Sequence, residues 1–162
     1  MKHVAPVVVL FGVLSLFGLV GCSNPADDKP VAEVGEAEEP ALEPSSGGRT
    51  LSITNGSAVT WIGSKVTGSH EGGFKNVSGE LSLDGNDVET LSVSISIDVD
   101  SLYSDNERLT GHLKSADFFD VETYPTATFT STEIRQEGDG YVMVGNLNLH
   151  GITKSISFPV DI

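Results

Sequence analysis

The sequence predicts one all-β domain of antiparallel strands with a single short helix, placed behind two segments whose composition does not belong to a folded core. Three observations predict it. Leu91, Val93, Ile95, Ile97 and Val99 alternate with Ser92, Ser94, Ser96 and Asp98, which puts five apolar side chains on one face of an extended chain. Turn clusters at Asp84-Gly85-Asn86 and Glu137-Gly138-Asp139-Gly140 tolerate positive φ and separate such stretches at hairpin spacing, which disfavours a parallel α/β sheet. Cysteine occurs once, so no internal disulfide exists and apolar burial must hold the domain together.

In chain order, Met1-Lys2 supplies positive charge and Val4 to Val20 is almost wholly apolar, the layout of a signal peptide over residues 1–21. Leu19-Val20-Gly21-Cys22 resembles the bacterial lipobox, which implies lipid on the Cys22 thiol (palmitate among its acyl chains) and cleavage just before it. Buried methylenes contribute about 0.8 kcal/mol each, so two or three acyl chains hold a protein stably on a membrane without a spanning helix. Ser23 follows the cysteine where an aspartate would signal retention. The resemblance therefore implies an extracytoplasmic, lipid-anchored envelope protein, on the outer membrane facing the periplasm where the organism has two membranes.

Asn24 to Gly48 carries seven acids, one lysine and four of the chain's seven prolines, with no aromatic residue. Such a segment buries too little to fold by itself, so residues 22–48 are expected to be the lipidated cysteine and a disordered spacer. The folded domain is then 49–162. Formal net charge is −14, from 9 basic and 23 acidic residues, which repels phosphate backbones and makes nucleic acid a poor partner.

Within the domain, shorter alternations recur at 59–66, 74–83, 126–134 and 141–149, and at Ile156, Phe158, Val160 and Ile162. One segment breaks the pattern. Ser104 to Glu107 resembles a capping box and Leu109 and Leu113 follow at four-residue spacing, which predicts a helix near 105–115. Strands with one apolar face must pack on something, so a barrel or a sandwich follows. Gly68 to Gly73 is expected as a loop.

The residues from Trp61 onward resemble the YceI-like family: Trp61-Ile-Gly-Ser-Lys65, Gly68-Ser-His70-Glu-Gly72, Phe74, Asp98-Val-Asp-Ser-Leu102, His112-Leu-Lys-Ser-Ala-Asp-Phe-Phe-Asp120, Tyr124 to Ser131, and Gly145 to Lys154. The resemblance implies a lipocalin-like antiparallel barrel whose apolar interior binds a polyisoprenoid or isoprenoid quinone, as carrier or reservoir. No catalytic activity is implied. Family members continue past the strand matching 155–162 with further strands, so either this chain is a fragment or its barrel is completed otherwise. An open edge at 156–162 would then be a pairing liability.

Candidate ligand-binding residues are Trp61, His70, Phe74, Leu91, Val93, Ile95, Ile97, His112, Phe118, Phe119 and Phe129, with Tyr124 a further aromatic wall. Apolar burial would drive binding at about 25 cal/mol per Å², and His70 or His112 would hydrogen-bond a quinone carbonyl. Adjacent Phe118 and Phe119 point opposite ways in an extended segment, so at most one faces inward. The bland alternatives are ordinary core packing for the apolar residues and loop hydrogen bonds for the histidines. His70, His112 and His150 lack ligand spacing for a metal or haem, and no nucleophile elbow, zinc-protease or phosphate-loop motif is present. The sequence therefore points to no catalytic residue, no metal and no cofactor beyond a bound isoprenoid. A non-catalytic envelope protein with a filled core is the competing reading. Oligomeric state is left open, a dimer included.

Overall fold

A computed structural model describes residues 32–39, 48–53, 57–65 and 68–162. The expected signal peptide 1–21, Cys22, and residues 23–31 and 40–47 of the expected spacer lie outside the described residues. Among those described, the strands are β1 Glu33–Glu36, β2 Arg49–Ile53, β3 Val59–Lys65, β4 Gly68–Phe74, β5 Val77–Leu83, β6 Ser92–Asp98, β7 Leu102–Ser104, β8 Thr126–Glu137, β9 Gly140–Leu149 and β10 Ile152–Val160. A helix, α1 Glu107–Lys114, separates β7 from β8.

The strands form a seven-stranded sheet in the order β1-β10-β9-β8-β6-β5-β2 and a three-stranded sheet β3-β4-β7, antiparallel throughout. The expected all-β antiparallel class is borne out. The expected barrel does not close, because β1 and β2 end the larger sheet and β3-β4-β7 forms a separate sheet. Closure needs about eight strands in one continuous, staggered ladder.

β6 shows why the alternation was legible. Leu91, Val93, Ile97 and Val99 are buried, and Ile95 packs between two core clusters. A 3-10 turn closes each end of the strand. Asp87 accepts from Glu89 N before it, and Asp98 accepts from Asp100 N after it. Asp98 also accepts from Asn76 Nδ2 at 2.9 Å.

Two hairpins have two-residue loops, the first at an expected turn cluster and the second at a site not read as a turn from sequence. Gly138-Asp139 joins β8 to β9, with Gly138 at φ 61°. His150-Gly151 joins β9 to β10 with both residues at positive φ, 53° and 73°, the signature of a type I′ turn. The helix starts two residues later than the capping box implied. Asn106 is the N-cap and accepts from Leu109 N at 3.0 Å, while Ser104 Oγ instead bonds the Thr110 hydroxyl at 2.8 Å.

Two expectations are corrected. Gly68 to Gly73 is a strand, not a loop, because β3 and β7 flank it and its glycines admit their neighbours. A Cβ on Gly72 would collide with the Trp61 indole, and one on Gly73 with the Val59 carbonyl. The acidic segment expected to be a disordered spacer is also not structureless over its whole length. Glu33 to Glu36 pairs in register with Ser157 to Lys154 and covers the edge at which β10 would otherwise stand open.

Candidate functional site

The inward face of the larger sheet carries two adjoining apolar clusters. The first gathers Phe74, Ile97, Val99, Leu102, Leu113 and Ala127, and so binds the small sheet and α1 to the large one. The second gathers Leu91, Val93, Phe129, Ile134 and Met143, with Ile156, Phe158 and Val160 of β10 packed against it. Ile95 touches both. The apolar surface is therefore continuous along β6 and spreads across β5, β8, β9 and β10.

Most of the residues singled out from sequence converge here. Phe74 and Ile97 sit in the first cluster, with Trp61, Ile95 and Phe119 packed on it. Leu91, Val93 and Phe129 sit in the second. Aromatic rings pack on this face: Phe129 of β8 and Phe158 of β10, side by side across β9, lie 5.5 Å apart, and the Phe74 and Phe119 rings 5.9 Å apart, edge to face. Gly145 makes room for Phe129, since a Cβ there would run into the ring.

Three expected ligand contacts do not face this interior. Phe118 is 54% exposed and His112 is exposed, their rings 6.0 Å apart on the outer side of the turn after α1. The Phe119 N–H donates to the Leu113 carbonyl, which turns Phe119 inward and leaves its neighbour outside. His70 Nδ1 lies 2.9 Å from Asp105 Oδ1. That hydrogen bond, with a backbone N–H bond adding to it, holds the Asp105 carboxyl below the usual carboxylate range. His70 thus ties β4 to the start of the helical segment.

Surface recesses lie elsewhere. One of about 420 Å³ is bordered by Lys75, Asn76, Ser96 and Asp98, and one of about 410 Å³ by Trp61, Glu71, Tyr103 and Asp105. Both mix polar and apolar walls, unlike the continuous interior face. Among the described residues, no three His, Cys, Asp or Glu side chains are grouped to hold a metal, and no helix is long and apolar enough to cross a membrane.

A model of the YceI-like domain matches residues 52–162. The chain belongs to the YceI-like family. A UPF0312 protein of Vibrio vulnificus is 38% identical over 92 residues, covering 56% of this chain and 49% of that protein. One of Vibrio cholerae is 42% identical over 87 residues, covering 53% and 46%. The chain thus spans about half the length of these curated relatives. Its fold is similar to that in the crystal structure of Burkholderia cenocepacia BcnA, with a TM-score of 0.59 and 29% identity over 64% of this chain and 65% of that one.

Several interior residues of the YceI-like domain were not singled out from the sequence: Met143, Leu147, Ile156 and Phe158. Their signal was the period-two alternation of β9 and β10, read there as strand and not as wall. Two polar atoms also went unnoticed. Trp61 Nε1 and His150 Nε2 are buried with no hydrogen-bond partner, a costly state for a nitrogen that water would otherwise satisfy. The His150 ring lies 4.4 Å from Tyr124, over the turn that its own positive φ helps to make.

Proposed function

We propose that this YceI-like chain is a lipid-anchored envelope protein that takes up an isoprenoid lipid or isoprenoid quinone against its interior apolar face, as carrier or reservoir. The observation that carries the reading is the unbroken apolar face joined through Ile95. A polyisoprenoid offers only apolar surface, and each Å² removed from water contributes about 25 cal/mol. The domain works by burial and not by chemistry. Anchorage comes from lipid on Cys22 after removal of residues 1–21, which puts the domain outside the cytoplasmic membrane, on the outer membrane where there are two.

A second reading, an envelope interaction protein whose core is already full, is favoured by one observation: the Phe129–Phe158 and Phe74–Phe119 contacts occupy the interior with side chains. Organic extraction and mass spectrometry separate the two. The chain is purified from a bacterial envelope beside a form extended by any native C-terminal sequence. Stoichiometric isoprenoid in both forms supports the carrier. Lipid in the extended form alone means that strands beyond Ile162 complete the site. Lipid in neither leaves the filled-core protein.

A further inference from the structure

The segment 33–39 was expected to be a passive spacer, yet it is bound to the domain along two lines. β1 adds four residues to the β10 ladder, and Lys154 Nζ meets Glu36 Oε1 at 2.6 Å. Beyond it the chain turns onto the outer face of the sheet. Glu38 N donates to Asn146 Oδ1 at 2.8 Å and Asn146 Nδ2 returns to the Glu38 carbonyl at 2.6 Å. The Glu38 carboxylate then accepts from the Thr132 hydroxyl at 3.0 Å and the Ser155 hydroxyl at 3.2 Å. Thr132 and Ser155, 2% and 5% exposed, are among the most buried polar residues described.

No side chain of β1 is buried, and Val34 is 71% exposed. The segment is therefore held by backbone pairing, by the Lys154 ion pair and by the polar contacts of Glu38, with no buried apolar side chain in β1. Charge is complementary, since β10 carries Lys154 and no acid while residues 33–39 carry four glutamates. Ladder bonds and exposed ion pairs each contribute modestly in water. A strap of this kind docks specifically and releases without disturbing the apolar core.

We propose that this strap sets how far, and from which edge, the domain stands off the membrane. The inference rests on the lipid-anchored reading above. When docked, the chain from Cys22 to Glu33 can span at most a contour of about 36–40 Å. When released, the limit is set by the chain from Cys22 to Arg49, a contour of about 90–97 Å. The point of attachment moves as well, because β1 and β2 stand at opposite ends of the seven-stranded sheet. Six strand intervals of about 4.8 Å place those edges about 29 Å apart along the sheet. The docked strap therefore keeps the domain close and turns the β10 edge toward the bilayer, and release more than doubles the reach and hands the leash to β2.

The test uses the full lipidated chain in lipid vesicles, with a donor dye on Asp139→Cys at the exposed β8–β9 turn and acceptor dye in the lipid. It is compared with Glu36→Lys/Glu38→Ala and with a chain whose residues 33–39 are replaced by a Gly/Ser segment of equal length. Both variants are expected to lose at least ten-fold of amide exchange protection at the β10 edge, keep protection in β8 and β9, and show lower energy transfer. Unchanged transfer, in variants that still float with the vesicles and have lost β10 edge protection, overturns the leash. Unchanged edge protection in both variants overturns the docking that it depends on. Failure of the unaltered chain to float overturns the anchor itself, and with it the leash, while edge protection in solution still reports the strap.

Discussion

Truncating Phe129 to Ala weighs the packing of the interior directly. The ring is 5% exposed, lies over Gly145 and meets Phe158 at 5.5 Å, in a cluster with Val93, Leu91 and Met143. Two terms add on truncation: the lost transfer of the ring from water and the cavity left where neighbours cannot collapse. β8 and β9 stay paired on either side of the site, Phe129 opposite Leu147 and, past the bulge between Ser131 and Glu133, Ile134 opposite Met143, so collapse is limited. Phe→Ala at such sites costs about 3–5 kcal/mol, from a domain total of about 5–15 kcal/mol. Urea titration followed by tryptophan fluorescence measures it through Trp61, the one tryptophan. The midpoint should fall with an unchanged slope, because a slope change would signal an altered unfolded or native ensemble. A loss below about 1 kcal/mol would refute the claim that protein side chains fill this interior. A full loss that is largely recovered on adding an isoprenoid quinone would show that the vacated volume is continuous with a ligand site.

Three further outcomes follow from local geometry. His150→Asn should raise stability by about 1 kcal/mol in thermal or urea unfolding: Asn suits the first position of a type I′ turn and removes the buried unpartnered Nε2, against about 0.5–1.5 kcal/mol for the lost ring contact with Tyr124. Asn106→Ala should cost about 0.5–2 kcal/mol, with Asn106→Asp near neutral, because the side chain caps α1 at Leu109 N. Strap docking should depend on pH through Glu36, whose carboxyl is held below its ordinary value first by the Lys154 hydrogen bond and then by that charge. A lowered folded pKa gives a contribution that is complete above the free carboxylate's pKa and lost as pH falls through the lowered one. Exchange protection at the β10 edge should thus hold at neutral pH and decline on acidification below about pH 4, and Lys154→Met should abolish the Glu36 part of that decline.

What the sequence disclosed, and what it hid, divides along one physical line. Apolar alternation is visible in letters because burial selects them, so β6 and the cores of β8, β9 and β10 were legible, and with them Leu91, Val93, Ile97 and Phe129. Phe119 was legible only as one of a pair, and the hydrogen bond to Leu113 O decides which ring turns inward. Strand pairing that buries no side chain leaves no such trace. β1 has the composition of a spacer and pairs through its backbone, its partner strand lying more than a hundred residues downstream. Glu38 had no reason to be distinguished from the other acids until Thr132, displaced by the bulge between Ser131 and Glu133, presented its hydroxyl beside Ser155. The β4 glycines misled for the converse reason. They suggest a loop when read alone, and become a strand once the Trp61 indole needs the space that their missing side chains leave. The same lack of an apolar signature that hid β1 is what makes it detachable, since a strand recognised by burial could not leave its sheet without opening the core.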